Sequence, residues 1–233
     1  MPALLELEDL VKTYHLSGGI DVPVLKGVSL RVEKGDLVAL MGASGSGKST
    51  LMNILGFLDT PTSGTYRFDG RDVSRLSEDE RADVRAARIG FVFQSFNLLA
   101  RTSALQNVLM PLEYHRGVRR RRSEERDRAV RLLEMLGLEG RLDHTPAQLS
   151  GGQQQRVAIA RSLINQPDIL FADEPTGNLD SVTTVEILRM FQRLNTEQGI
   201  TIVLVTHDAE VCDYAKRTIH IRDGLVAPDM TPA

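Results

Sequence analysis

Four short apolar runs stand out along the chain: Leu37–Met41, Ile89–Phe93, Ile169–Ala172 and Ile200–Val205. Each is continuous rather than alternating and is bounded by Gly, Pro or Asp, the pattern of a strand covered on both faces. Between them, Lys48–Phe57, Glu124–Leu136, Gln155–Asn165 and Thr183–Thr196 have helical character. Buried strands alternating with helices predict an α/β fold built on a mostly parallel sheet covered on both faces. The start of the chain differs: Leu4–Tyr14 and Val24–Val32 alternate apolar with polar around a Gly18-Gly19 turn, and Thr65–Phe68 follows a Ser-Gly turn. These predict an antiparallel β layer against the main sheet. The segment from about 95 to 165 lacks strand signals and reads as an inserted helical lobe. It would divide a single domain, 1–233, into a core of 1–94 and 166–233 and a helical subdomain of 95–165. Pro228–Ala233 reads as a frayed end.

Composition narrows the class. At 233 residues the chain is one large domain or one domain with an inserted lobe. It is 42% hydrophobic and 25% charged, which excludes disorder, collagen and coiled coil. Aromatics at 5%, with no Trp, argue against a surface of stacked rings for carbohydrate or RNA. A net charge of −3 supplies no overall basic field for nucleic acid. The single cysteine, Cys212, cannot form an internal disulfide; it fits a reducing compartment and reads as a small buried filler. No apolar run approaches the roughly 18 residues of a membrane span, and the N-terminus has neither a basic nor an apolar leader region. The expectation is a soluble cytosolic chain whose membrane role, if any, comes through a partner.

The chemistry begins after Leu37–Met41. Gly42, Ala43, Ser44, Gly45, Ser46, Gly47, Lys48, Ser49 and Thr50 match G-x-x-x-x-G-K-[ST] in the required strand–loop–helix context. The glycines let backbone N–H groups wrap phosphate oxygens, and the helix N-terminus adds favourable dipole charge. Lys48 is expected to bridge the β- and γ-phosphates and Ser49 to ligate Mg²⁺. A second element is the apolar strand that ends in Asp173-Glu174. Open α/β sheets bind ligands at the C-terminal ends of their strands. Asp173 there can hold Mg²⁺, and Glu174 can orient or deprotonate an attacking water.

A third element separates this chain from kinases and small GTPases. Leu149-Ser150-Gly151-Gly152-Gln153 opens an apolar-periodic helix, with Ser150 as N-cap and Gly151-Gly152 leaving the first-turn amides open. One chain thus carries two phosphate-ready helix starts about a hundred residues apart. The simple resolution is a head-to-tail dimer in which this turn completes the other subunit's site, although Ser-Gly-Gly also makes ordinary helix caps.

In combination and order these elements resemble an ATP-binding cassette (ABC) ATPase of the P-loop, RecA-like class, over about residues 4–225. The resemblance implies that Gly42–Thr50 is the Walker A loop and Leu149–Gln153 the signature motif, and that Tyr14 stacks on adenine. It implies that Gln94 senses Mg²⁺ and the membrane partner, that Asp173 and Glu174 are the Walker B aspartate and catalytic glutamate, that Gly177–Asp180 is the D-loop, and that His207 is the switch histidine. Each of two ATP·Mg²⁺ sites would take Lys48, Ser49, Gln94, Asp173, Glu174 and His207 from one chain, and Ser150 and Gly152 from the other. The phrases Gly42–Gly56, Pro146–Arg156 and Ala172–Asp180 are most similar to the macrolide-export (MacB) and lipoprotein-releasing (LolD) group, with the cell-division ATPase FtsE a near relative. That implies a homodimer on the cytoplasmic face of the inner membrane, powering a separate permease with a large extracytoplasmic domain and a periplasmic adaptor, and no nucleic-acid partner. The alternatives are an FtsE-like regulator of cell-wall hydrolysis and a non-transport ABC ATPase acting on DNA or the ribosome.

Other residues carry bland readings beside sharper ones. His15 competes with Tyr14 for the adenine role, while His115, His144 and His220 have no chemical context. Arg119–Arg122 opens a segment of net charge +5 (116–131), read as a solvated helix start rather than a lipid or nucleic-acid patch. Phe96, Leu98 and Leu99 sit where relatives receive their membrane subunit, with helical-lobe core as the alternative.

Overall fold

The computed structural model describes residues 3–114 and 121–227. The alternating N-terminal segments form a long hairpin, β1 (Ala3–Leu16) and β2 (Ile20–Glu33). The apolar run after it is β3 (Leu37–Met41), and α1 (Lys48–Leu55) follows the glycine-rich loop. β4 (Ser63–Phe68) and β5 (Arg71–Asp72) complete an antiparallel sheet of order β2-β1-β4-β5. α2 (Glu78–Arg88) leads into β6 (Ile89–Phe93). The helical segment then supplies α3 (Ala104–Leu109), α4 (Arg122–Met135) and α5 (Gly151–Leu163). The chain returns through β7 (Ile169–Asp173), α6 (Ser181–Gln198), β8 (Thr201–Thr206) and the short α7 (Ala209–Cys212). It ends in β9 (Arg217–Arg222) and β10 (Leu225–Val226).

The second sheet has the order β10-β9-β3-β8-β7-β6, parallel from β9 to β6. Its central strands β3, β7 and β8 are buried on both faces, so their alternate residues enter two separate cores. Leu170, Ala172, Ile202 and Leu204 pack with α3, α4, α5 and α6 on one face. Phe171, Val203 and Val205 pack with α1 and the antiparallel sheet on the other. This is the α/β architecture expected from the pattern, with element ends shifted by a few residues. Of the elements outside that expectation, α2 and β9 are the longest. α2 buries no residue and so shows no apolar stripe; a Ser77/Glu80 capping box starts it. β9 is the edge-side parallel strand beside β3. His115, Arg119 and Arg120 lie outside the described residues. No described helix is long and apolar enough to cross a membrane.

Candidate nucleotide site

Five parallel strands end on one side, and four of them feed chemistry into a single cleft. β3 delivers the loop Gly42–Gly47, β6 delivers Gln94, β7 delivers Asp173-Glu174 and β8 delivers His207. Gly47 stands at the N-cap of α1 with φ 105°, a left-handed conformation that glycine adopts at little cost. It makes no side-chain cap, so the first N–H groups of α1 face the loop. The buried Lys48 lies across the loop, its Nζ donating to Gly42 O at 2.6 Å and Ala43 O at 2.9 Å. The Ser46 hydroxyl is buried without a hydrogen-bond partner among the described residues, a donor available to an oxyanion.

Glu174 is held in a left-handed backbone conformation, φ 45°. Its N–H donates to Val205 O at 2.9 Å, and its carboxylate accepts from Thr206 Oγ1 at 3.3 Å and lies 2.6 Å from His207 Nδ1. Beside it, burial pushes the Asp173 carboxyl above its ordinary range; the Glu174 charge adds to this and Lys48 opposes it. A half-buried carboxylate whose ionised form is disfavoured is a good place for a cation. The oxygens of Ser49, Asp173 and Gln94 are the hard donor set that suits Mg²⁺. Gln94 is cross-linked to the turn after Glu174: its Nε2 donates to Asn178 Oδ1 at 3.4 Å, and Asn178 Nδ2 donates to Gln94 O at 3.0 Å.

The resulting cleft has a volume of about 900 Å³. Gly42–Gly45, Gly47–Thr50, Gln94, Asp173, Glu174 and His207 all line it. So do Val24 and His220, which sequence reasoning left out. His220 pairs in register with Met41, the residue before the loop, so β9 places it there. That proximity exists only across strands, and no local motif announces it.

Tyr14, Ser150, Gly151, Gly152, Gln153 and Asp180 are not among the lining residues. Tyr14 lies at the edge of the region: its hydroxyl donates to Asp59 Oδ2 at 2.8 Å and also meets Thr50. His15 pairs instead with Asp21 across the hairpin, at 2.6 Å. Ser150 caps α5 in a reciprocal box with Gln153. Gly152 allows close packing of that turn on α6, because a Cβ there would lie 2.4 Å from the Thr183 methyl. Asp180 caps α6 through the Thr183 N–H and hydroxyl, which hold its carboxyl below the ordinary range. The single chain therefore gathers one half of the expected constellation and holds the Ser150 turn apart from it.

Further residues enter from α5. Gln155 Nε2 donates to Pro175 O at 2.6 Å. The buried Arg161 donates to Phe96 O at 2.8 Å and Asn97 O at 2.5 Å. Phe96 and Leu98 are half-buried, while Leu99 is 48% exposed. Next to them runs a groove of about 780 Å³ lined by Leu58, Phe91, Phe93, Met110 and Tyr114, with Arg161 in its wall. Cys212 is only half-buried, its Sγ 3.5 Å from Met41 Sδ, rather than a fully buried filler. His144 contacts Arg141 at 2.9 Å, far in sequence from the strand ends.

Residues 25–177 match the family model described as "ABC transporter", and the chain belongs to that family. It is an ATPase cassette of the class: an ATP-binding cassette solved as a dimer in a post-hydrolysis state, bound to ADP and Pi, superposes with a TM-score of 0.86 and 46% identity over 96% of this chain and 97% of its own. The macrolide export ATP-binding/permease protein MacB of Syntrophobacter fumaroxidans is 63% identical over 97% of this chain, and that of Rhodopirellula baltica 57% over 97%. The chain spans only 31% and 33%, respectively, of those two proteins' length.

Proposed function

We propose that two copies of this chain sandwich two ATP molecules head to tail and hydrolyse them, driving a MacB-type export permease at the cytoplasmic face of the inner membrane. The observation that carries this reading is the split constellation. Lys48, Gln94, Asp173, Glu174 and His207 share one cleft, whereas the equally phosphate-ready Ser150 turn stands outside it and is free to serve a second copy.

In this reading the N–H groups of Gly45–Ser49 take the β- and γ-phosphates. Lys48 exchanges its carbonyl partners for phosphate oxygens. Ser49 and Asp173, with Gln94, would hold Mg²⁺, which supplies charge neutralisation between the phosphates. Glu174 orients and deprotonates the attacking water. His207 holds the Glu174 carboxylate through Nδ1, leaving Nε2 to face the γ-phosphate. Tyr14 offers a ring to adenine at the edge of the cleft. Asp180 acts less directly, by fixing the first turn of α6, whose Thr183 packs against Gly152. The γ-phosphate joins the two surfaces, so its loss lets them part. The apolar groove beside Leu99 and Tyr114, 48% and 72% exposed, is the surface for the permease.

Glu174→Gln tests the chemistry. It keeps size and hydrogen bonding but cannot act as a base. Expected is ATP binding close to wild type with kcat reduced roughly 10²- to 10⁴-fold. Hydrolysis at the wild-type rate would refute the role of Glu174.

A further inference from the structure

We infer that Gln155 is a positioning residue that fixes the backbone of the catalytic Glu174 and ties it to the helix that begins at Ser150; this rests on the cassette reading above. Gln155 lies inside α5 and is fully buried. A buried carboxamide is costly unless bonded, and an apolar residue of its size would fill the space more cheaply. Its one bond goes from Nε2 to the carbonyl of Pro175, the residue that follows Glu174, and its Oε1 has no partner among the described residues. A fully buried polar side chain kept for a single short bond points to that bond as its purpose.

The bond falls where the chain is strained. A glutamate in the left-handed region is strained, so its surroundings must hold it there. β8 and its loop hold the N–H through Val205 O and the carboxylate through Thr206 and His207. The turn closes on itself through Gly177 N–H to Glu174 O at 3.1 Å. Gln155 supplies the side-chain hydrogen bond from α5. Ser150 and Gln155 lie on one unbroken helix, roughly 7–8 Å apart along its axis. A displacement of the Ser150 end as it meets the partner copy's nucleotide therefore reaches the Pro175 peptide through one rigid element. Gln155 thus couples the site this chain completes to the glutamate of the site it houses.

Gln155→Met, close in volume, removes both polar ends. Expected is a folded protein with kcat lowered roughly 10- to 100-fold, as for a misplaced catalytic group, and KM for ATP changed less than about twofold. Added to Glu174→Gln, it should leave ATP-driven dimerisation intact, which a general packing defect would not. Gln155→Glu, which keeps the shape, should lower kcat in the same way. Wild-type kcat in either variant overturns the inference. So does a fall in kcat accompanied by loss of the ATP-driven dimer, which would place Gln155 in the fold rather than behind Glu174. Wild-type turnover and dimerisation of Glu174→Gln alone, measured in the same series, carry the cassette reading itself and separate its failure from that of Gln155.

Discussion

Lys12 shows how one nearly buried charge organises the edge of the nucleotide cleft. Its Nζ donates to Asp59 Oδ1 at 2.6 Å and Thr60 O at 2.7 Å, and it lies 4.7 Å from the centre of the Tyr14 ring. The Tyr14 ring is therefore fixed at its hydroxyl and covered on one face; in the proposed reading the other face takes the base. Burial pushes the Asp59 carboxyl up, but bonds from Lys12, the Tyr14 hydroxyl and the Thr60 N–H outweigh it and hold the group below its ordinary range. A depressed carboxylate stabilises the fold above its unfolded pKa and loses that contribution as pH falls through the folded value. Asp59→Asn should therefore lower stability at neutral pH and flatten the loss on acidification below about pH 4, read by denaturant melts across that range. At Gly177 a Cβ would lie 2.5 Å from Gln94 Nε2. Gly177→Ala should push Gln94 off Asn178 and lower kcat roughly tenfold or more, with an unchanged melting midpoint. The residues that act through linear motifs, Gly42–Thr50, Asp173-Glu174 and His207, were legible in the sequence. Val24, His220, Gln155 and Arg161 were not, because each is defined by a partner many residues away.

Among the elements, α2 has the plainest division of labour. It buries no side chain, yet its last residue, Arg88, joins two layers. Arg88 pairs with Asp69 at 2.8 Å and with Asp168, and its guanidinium lies 4.8 Å from the centre of the Phe68 ring. Asp69 follows β4 and Asp168 precedes β7, so one side chain links the antiparallel layer to the parallel sheet. Arg88→Ala should cost about 1–2 kcal/mol, part of it from lost stacking, and lower the melting midpoint without changing KM for ATP, because it lies at the strand ends away from the cleft. The strands of the main sheet were readable because each must satisfy two cores at once, which forces an unbroken apolar run. α2 was not, because it is mostly charged, with no fully buried residue and only Val84 packed on the core; only the Ser77–Glu80 spacing marked its start.

At the scale of the whole molecule, the two phosphate-ready helix starts are the decisive feature. α1 opens into the cleft beside Asp173 and Glu174, and α5 opens outside it. The two motifs along the chain already suggested a site completed by a second copy, because one γ-phosphate needs only one such helix start, whereas which residues fall in the cleft needed the strand order. The composite site has one most direct test: the mass in solution of Glu174→Gln with and without ATP·Mg²⁺, beside the same variant carrying Ser150→Arg. A chain of 25.8 kDa should double in mass only with ATP, and Ser150→Arg should hold it at the monomer while ATP still binds. A monomer under all conditions, or an ATP-driven dimer indifferent to Ser150, would contradict a site shared between two copies.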